Sequence, residues 1–137
     1  MNTVLITGAS RGIGAAIAEV FARHGYQLIL NCCHSETALK ALSDELSDKY
    51  HVTVLPVIGD VSDPDFIANM FAMIHQQSLS VDVLINNAQA SASGVTIADH
   101  TTEQFDLAVY SGLYAAFYYM KACYPYLKET KGSVINF

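Results

Sequence analysis

Residues 7–14 read Thr-Gly-Ala-Ser-Arg-Gly-Ile-Gly, TGASRGIG in one-letter form. Before them stands TVLIT (3–7), a short run of apolar and β-branched residues. After them comes GIGAAIAEVFARHG (12–25), with apolar residues at 13, 17, 20 and 21. The first run has the composition of a buried strand, and the second has helical spacing. The stretch between them is therefore a strand-to-helix turn carrying Gly8, Gly12 and Gly14. Glycines there let the backbone turn sharply and approach a pyrophosphate, which rests on the free N–H groups of the helix N-terminus. A glycine-rich connection without a ligand is the plainer reading. The order strand, turn, helix favours the ligand.

Working outward, the same alternation continues to the end of the chain. QLILN (27–31) precedes SETALKALSDELSDKY (35–50), where Leu39, Leu42 and Leu46 share a face. HVTVLPVIG (51–59) precedes DPDFIANMFAMIHQQ (63–77), which Asp63 and Pro64 open as N-cap and first-turn residues. SVDVLIN (80–86) runs into the small-residue loop NAQASASG. A long helix then begins at Thr101 and Gln104, which have capping-box spacing, and is expected to span about 102–128. GSVINF (132–137) reads as a fifth strand. Apolar strands separated by helices predict an α/β fold, a doubly wound parallel sheet of Rossmann type with helices on both faces. Ligands of such sheets bind at the C-terminal strand ends, where the loops at 7–12, 31–34, 59–62 and 86–94 gather.

The totals narrow the function classes. With 137 residues, 52% hydrophobic and only 15% charged, the chain is one well-buried domain rather than a disordered segment. Its net charge of −6 disfavours a nucleic-acid partner, which Lys and Arg would have to neutralise. No apolar run is long enough to cross a bilayer. The N-terminus MNTVLITG has neither a basic n-region nor a long apolar h-region, so it does not read as a signal peptide. Three cysteines, Cys32, Cys33 and Cys123, show no repeated spacing and fit a reduced, cytoplasmic compartment. Cys32-Cys33-His34 lacks a second ligand cluster, so no metal site is expected.

TGASRGIG, Asp60-Val61 after the third strand and Asn86-Asn87-Ala88 after the fourth together resemble the short-chain dehydrogenase/reductase family. The order and spacing match along all 137 residues, and the details look most like its 3-oxoacyl-carrier-protein reductase members. The resemblance implies an NAD(P)(H)-dependent oxidoreductase that moves hydride between nicotinamide and a carbonyl or secondary alcohol, with a 3-oxoacyl thioester as one substrate option. It implies that Gly8, Ser10, Arg11, Gly12, Ile13 and Gly14 line the phosphates and adenosine ribose. Asn31 and Cys33 would stand at the end of strand two, Asp60 would accept from the adenine amino group, and the Val61 N–H would meet its ring. Asn87, Ala88 and Gln89 would lie along the nicotinamide half. Without the resemblance, Asp60 in GDVSD reads more simply as a turn carboxylate. No acidic residue closes strand two before Glu36, and Arg11 is available to a 2′-phosphate, so NADP(H) is expected over NAD(H). The family also implies a small-molecule carbonyl or alcohol substrate and homo-oligomers built through the long helix.

Three features depart from the family pattern. Gln89 stands where Asn-Asn-Ala is followed by Gly, and Gly112 stands at the position of a catalytic-site Asn. The sequence ends at Phe137, inside strand five, whereas the family's Ser and its Tyr-x-x-x-Lys follow that strand. Residues 1–137 thus read as the dinucleotide-binding part without a catalytic residue, expected not to turn over alone. A non-catalytic dinucleotide-binding module is the alternative. YPYLK (124–128) has the Tyr-x-x-x-Lys spacing but precedes strand five, at the helix end far from the nicotinamide, with Pro125 marking that end. Its match to the catalytic pair is expected to be coincidence.

Overall fold

The computed structural model describes all of residues 1–137. In chain order the elements are β1 (Thr3–Ile6), α1 (Gly12–Arg23), β2 (Gln27–Cys32), α2 (Glu36–Tyr50), β3 (Val54–Ile58), α3 (Pro64–Gln76), β4 (Val83–Asn86), α4 (Thr102–Ala108), α5 (Ala115–Thr130) and β5 (Ser133–Asn136). The strands form one parallel sheet in the order β3-β2-β1-β4-β5. The chain winds outward from β1 through β2 to β3, then crosses back to place β4 on the other side of β1. That reversal opens a crevice between the C-terminal ends of β1 and β4, the place where open α/β sheets hold ligands. The expected doubly wound fold is present.

Both faces of the sheet are buried, and successive strand residues divide between them. Leu5, Ile29, Val57 and Leu84 pack with Ile67, Met70, Phe71 and Ile74 of α3 and with Tyr119 and Cys123 of α5. Val4, Ile6, Leu28, Leu30 and Ile85 pack with Ala18 and Ala22 of α1 and with Leu39 and Leu46 of α2. Each fully buried Leu or Ile contributes about 1.5–3 kcal/mol. Truncating Leu5, which is wholly buried at the sheet centre, would cost about 2–5 kcal/mol. Pro56 pairs with Leu30 in β3, an edge strand that tolerates its missing N–H. No helix is long and apolar enough to cross a membrane.

Local signals set the helix starts. Asp63 accepts from the Asp65 N–H at 2.9 Å ahead of Pro64. Thr101 and Gln104 form the expected reciprocal capping box, with Gln104 N to Thr101 Oγ1 at 3.2 Å and Thr101 N to Gln104 Oε1 at 3.0 Å. The expected single helix over 102–128 needs correction in two respects. Val109–Tyr114, between α4 and α5, is π-helical. Gly112 lies in that widened segment, where a residue of low helix propensity makes departure from α-geometry cheap. The helix also continues past Pro125 to Thr130, so the proline does not mark its end. Tyr126 and Leu127 still pack on the core, which holds the final turn despite the missing N–H. The third and fourth strands are shorter than expected, beginning at Val54 and Val83.

Candidate functional site

The crevice is built around Thr7, the residue that follows β1. Its hydroxyl accepts from the N–H groups of Asn87 and Ala88, each at 3.0 Å, and lies 3.4 Å from the Ile85 carbonyl to which it donates. Asn87 answers with its side chain, donating to the carbonyls of Thr7 at 3.1 Å and Gly8 at 3.0 Å. The turn after β1 and the loop after β4 are thereby fastened into one unit. Thr7 was not singled out in the sequence because a threonine ending a strand reads as ordinary β-propensity.

The glycines of the turn answer to different demands. A Cβ on Gly14 would stand 2.3 Å from the Gly8 carbonyl oxygen and 2.8 Å from Asn87 Nδ2, so no side chain fits. Gly12 has φ +57°, and a Cβ there would meet nothing within 4 Å. Its constraint is the backbone conformation, and the space beside it is open. Gly12, Ile13 and Gly14 sit at the N-terminus of α1, whose first N–H groups have no partner within the helix.

A cavity of about 350 Å³ gathers Gly8, Ser10, Arg11, Asn31, Cys33, Asp60, Val61, Ala88 and Gln89, all singled out in the sequence. After β2 it is lined by Asn31 through Ser35 and carries no carboxylate on that side. Arg11 is exposed at the N-cap of α1. Asn31 is fully buried, and its amide donates to the carbonyls of Val57 (3.2 Å) and Gly59 (3.1 Å). Its side chain therefore ties the ends of β2 and β3, while Oδ1 is left without a partner. Asp60 accepts from the N–H and hydroxyl of Ser62 on one oxygen, at 2.8 and 2.7 Å, which makes it a turn carboxylate with the other oxygen free. Burial, Asp60 and Cys32 together push the Cys33 thiol up. Its sulfur lies 3.3 Å from His34 Nε2, and no third ligating side chain joins them.

A larger, mostly apolar cavity of about 660 Å³ adjoins it, lined among others by Asn86, Gln89, Gly112, Leu113, Phe117 and Met120. Tyr119 also borders it. Its hydroxyl is buried without a partner, and burial pushes its pKa well up. Ser111, another residue the sequence did not mark, fixes the loop after β4 to the helix. Its hydroxyl accepts from the Ala90 N–H at 2.8 Å and faces the carbonyls of Leu107 (2.7 Å) and Ala90 (3.1 Å).

A model of the short chain dehydrogenases matches residues 2–137. The chain belongs to that family. Among short chain dehydrogenase relatives, the 12alpha-hydroxysteroid dehydrogenase of a Clostridium species is 46% identical over 99% of this chain and 54% of its own length. The D-beta-hydroxybutyrate dehydrogenase of Rhizobium meliloti is 32% identical over 98% of this chain and 52% of its own. An alcohol dehydrogenase from the archaeon Thermococcus sibiricus, complexed with 5-hydroxy-NADP, superposes with a TM-score of 0.91 at 31% identity, covering 98% of this chain and 56% of that one. The chain spans about half the length of the curated relatives it matches. These relatives are alcohol, hydroxysteroid and hydroxy-acid dehydrogenases, and they lend no support to 3-oxoacyl thioester reduction.

Within this short chain dehydrogenase fold the YPYLK stretch lies away from the crevice. Tyr124 is 61% exposed, and neither it nor Lys128 borders either cavity. At the end of α5, Thr130 lies 3.4 Å from the carbonyl of Val81, which precedes β4, whereas Ser111 bonds to Ala90, which follows β4. The helix thus runs from the C-terminal to the N-terminal edge of the sheet, carrying Tyr124 with it.

Proposed function

We propose that residues 1–137 are the dinucleotide-binding part of an NADP(H)-dependent oxidoreductase acting on a ketone or secondary alcohol. The observation that carries this reading is the turn around Gly12, open in space and set at a helix N-terminus, beside a cavity that holds Arg11 and no carboxylate after β2. The open side of Gly12 and the free N–H groups of α1 fit a pyrophosphate. Arg11 supplies a fork of donors for a 2′-phosphate. Asp60 offers its free oxygen as an acceptor, while Val61 and Ala88 form apolar walls. When bound, the nicotinamide supplies the hydride chemistry, and the chain's residues hold and orient it.

The apolar lining of the larger cavity suits a carbon skeleton of low polarity. The kinship with a hydroxysteroid dehydrogenase supports a secondary alcohol on such a skeleton. We place the protein in a reduced cytoplasm, supported by three unpaired cysteines. We further propose association through the helical stretch from α4 into α5, where Tyr110, Leu113 and Tyr114 of the π-helical segment and Phe117 of α5 stand exposed, with Tyr110 stacked on Tyr114 at 5.0 Å. Sedimentation of wild type and Tyr114→Glu tests this, and a monomeric wild type would refute it.

The cofactor assignment is tested by titrating NADPH and NADH against wild type and Arg11→Ala. Arg11→Ala is expected to weaken NADPH about 10-fold or more and to leave NADH nearly unchanged, since a charged hydrogen bond contributes about 1.5–3 kcal/mol. Tighter NADH binding by wild type, or equal losses for both, would overturn it.

A further inference from the structure

Of the eight glycines in the chain, Gly112 is the one that neither backbone conformation nor packing requires. Gly8, Gly12, Gly25 and Gly94 hold a positive φ. A Cβ on Gly14, Gly59 or Gly132 would stand 2.3, 2.1 or 2.2 Å from a neighbouring atom. At Gly112 φ is not positive, and a Cβ would meet only Gln89, at the ordinary contact distances of 3.8 and 3.9 Å, with nothing else within 4 Å. A glycine eases the π-helical geometry but is not demanded by it, since the other residues of Val109–Tyr114 all carry side chains. Inside a helix it costs about 1 kcal/mol against alanine. What the missing side chain leaves is room. That room opens on the larger cavity, whose wall Gly112 forms with Leu113, Phe117 and Met120.

We propose that Gly112 is a specificity-determining residue: by carrying no side chain it keeps the larger cavity wide enough for a rigid, fused-ring ketone or secondary alcohol. The proposal rests on the oxidoreductase reading given above and adds the substrate class, fused-ring over short-chain, with the residue that sets it. The cavity, at about 660 Å³, lies within the range of about 300–1,000 Å³ that holds a drug-sized ligand. A rigid ring system cannot bend around a side chain added at 112, and the densely packed interior behind the helix does not yield space elsewhere. A short ketone can shift within the same cavity. One methylene of misfit in a hydrophobic pocket already changes kcat/KM about 10-fold or more, and a leucine at 112 adds several such groups.

The test uses protein expressed from its complete reading frame, with NADPH as reductant and two ketones, a 12-ketosteroid and 2-butanone. Wild type, Gly112→Ala and Gly112→Leu are compared by the ratio of kcat/KM for the steroid to that for 2-butanone. The ratio is expected to fall in the order wild type, alanine, leucine, by about 10-fold or more at leucine. Alanine and leucine are better helix formers than glycine, so melting temperatures should hold or rise. The alanine variant, whose methyl meets only ordinary contacts, keeps the ratio measurable should leucine unfold the chain. A ratio that stays at the wild-type value, with both ketones slowed alike or neither slowed, would show that Gly112 serves the π-helical turn alone and would overturn the proposal. A wild type that reduces 2-butanone but not the steroid would overturn it too. So would a loss of NADPH affinity in step with the ratio, since the effect would then come from the cofactor side. Wild type that binds no NADPH and reduces neither ketone would instead remove the oxidoreductase reading itself, a result distinct from an active wild type whose ratio ignores position 112.

Discussion

The side-chain amide of Asn87 donates to the carbonyl oxygen of Gly8 at 3.0 Å, joining the loop after β4 to the turn after β1 across the switch in strand order. The same amide reaches Thr7 at 3.1 Å. Asn87→Ala removes both acceptors' partner and leaves the turn free to shift. A destabilisation of about 1–3 kcal/mol is expected from the lost bonds. NADPH affinity is expected to fall by more than the melting temperature alone would suggest. Thermal unfolding and isothermal titration on the same variant check this, and unchanged affinity in a folded protein would show that the turn needs no such fastening.

Gly12 and Gly14 should fail in different ways. Gly14→Ala forces a methyl into the Gly8 carbonyl at 2.3 Å, so the damage falls on the turn itself. The expected result is loss of stability by about 1–3 kcal/mol, as for an overpacked site, with binding lost in consequence. Gly12→Val finds open space, so its structural cost is confined to holding φ near +57°. Its expected signature is a folded protein that no longer binds NADPH. Melting curves that rank the two variants in the reverse order would contradict this division.

Cys33 offers a pH-dependent readout of the smaller cavity. Burial, then Asp60, then Cys32 raise its thiol pKa above the ordinary value, so the thiolate is scarce at neutral pH and grows as pH rises. Alkylation by iodoacetamide should accordingly be slow at neutral pH and still climbing above the usual thiol range. Asp60→Asn removes a negative charge that opposes the thiolate, so alkylation at fixed pH should quicken. NADPH should slow it, because Cys33 lines the cavity. Cys32 and Cys123 are buried and should stay unmodified in the folded chain. Mass spectrometry of the labelled peptides resolves the three, and a rate at Cys33 that levels off near neutral pH would contradict the assignment.

Tyr119 carries a hydroxyl that is buried without a partner. Such a group costs about 1–3 kcal/mol of desolvation that folding does not recover. Tyr119→Phe keeps the ring against Phe71, 6.2 Å away, and removes the hydroxyl. Stability should hold or rise by about 1 kcal/mol in denaturant titration, within the same limit. A clear loss would mean that the hydroxyl has a partner, such as a buried water at the edge of the larger cavity.

What the sequence determined by itself was periodicity and local chemistry. Alternating strands and helices gave the parallel sheet, Thr101 and Gln104 gave a helix start, and TGASRGIG located the turn at the crevice, because each of these is a relation between residues near in the chain. Tertiary structure decided the rest. Thr7 meets Asn87 and Ala88 across 80 and 81 positions, and Ser111 meets Ala90 across 21. No local pattern encodes such partners. The same holds for Asn31, whose side chain turned into the joint between β2 and β3, and for Gln89 and Gly112, two separate departures in the sequence that the fold brings to the wall of one cavity. A side chain's type and spacing are written locally, but the atoms it meets are set by how the sheet brings distant loops to one edge.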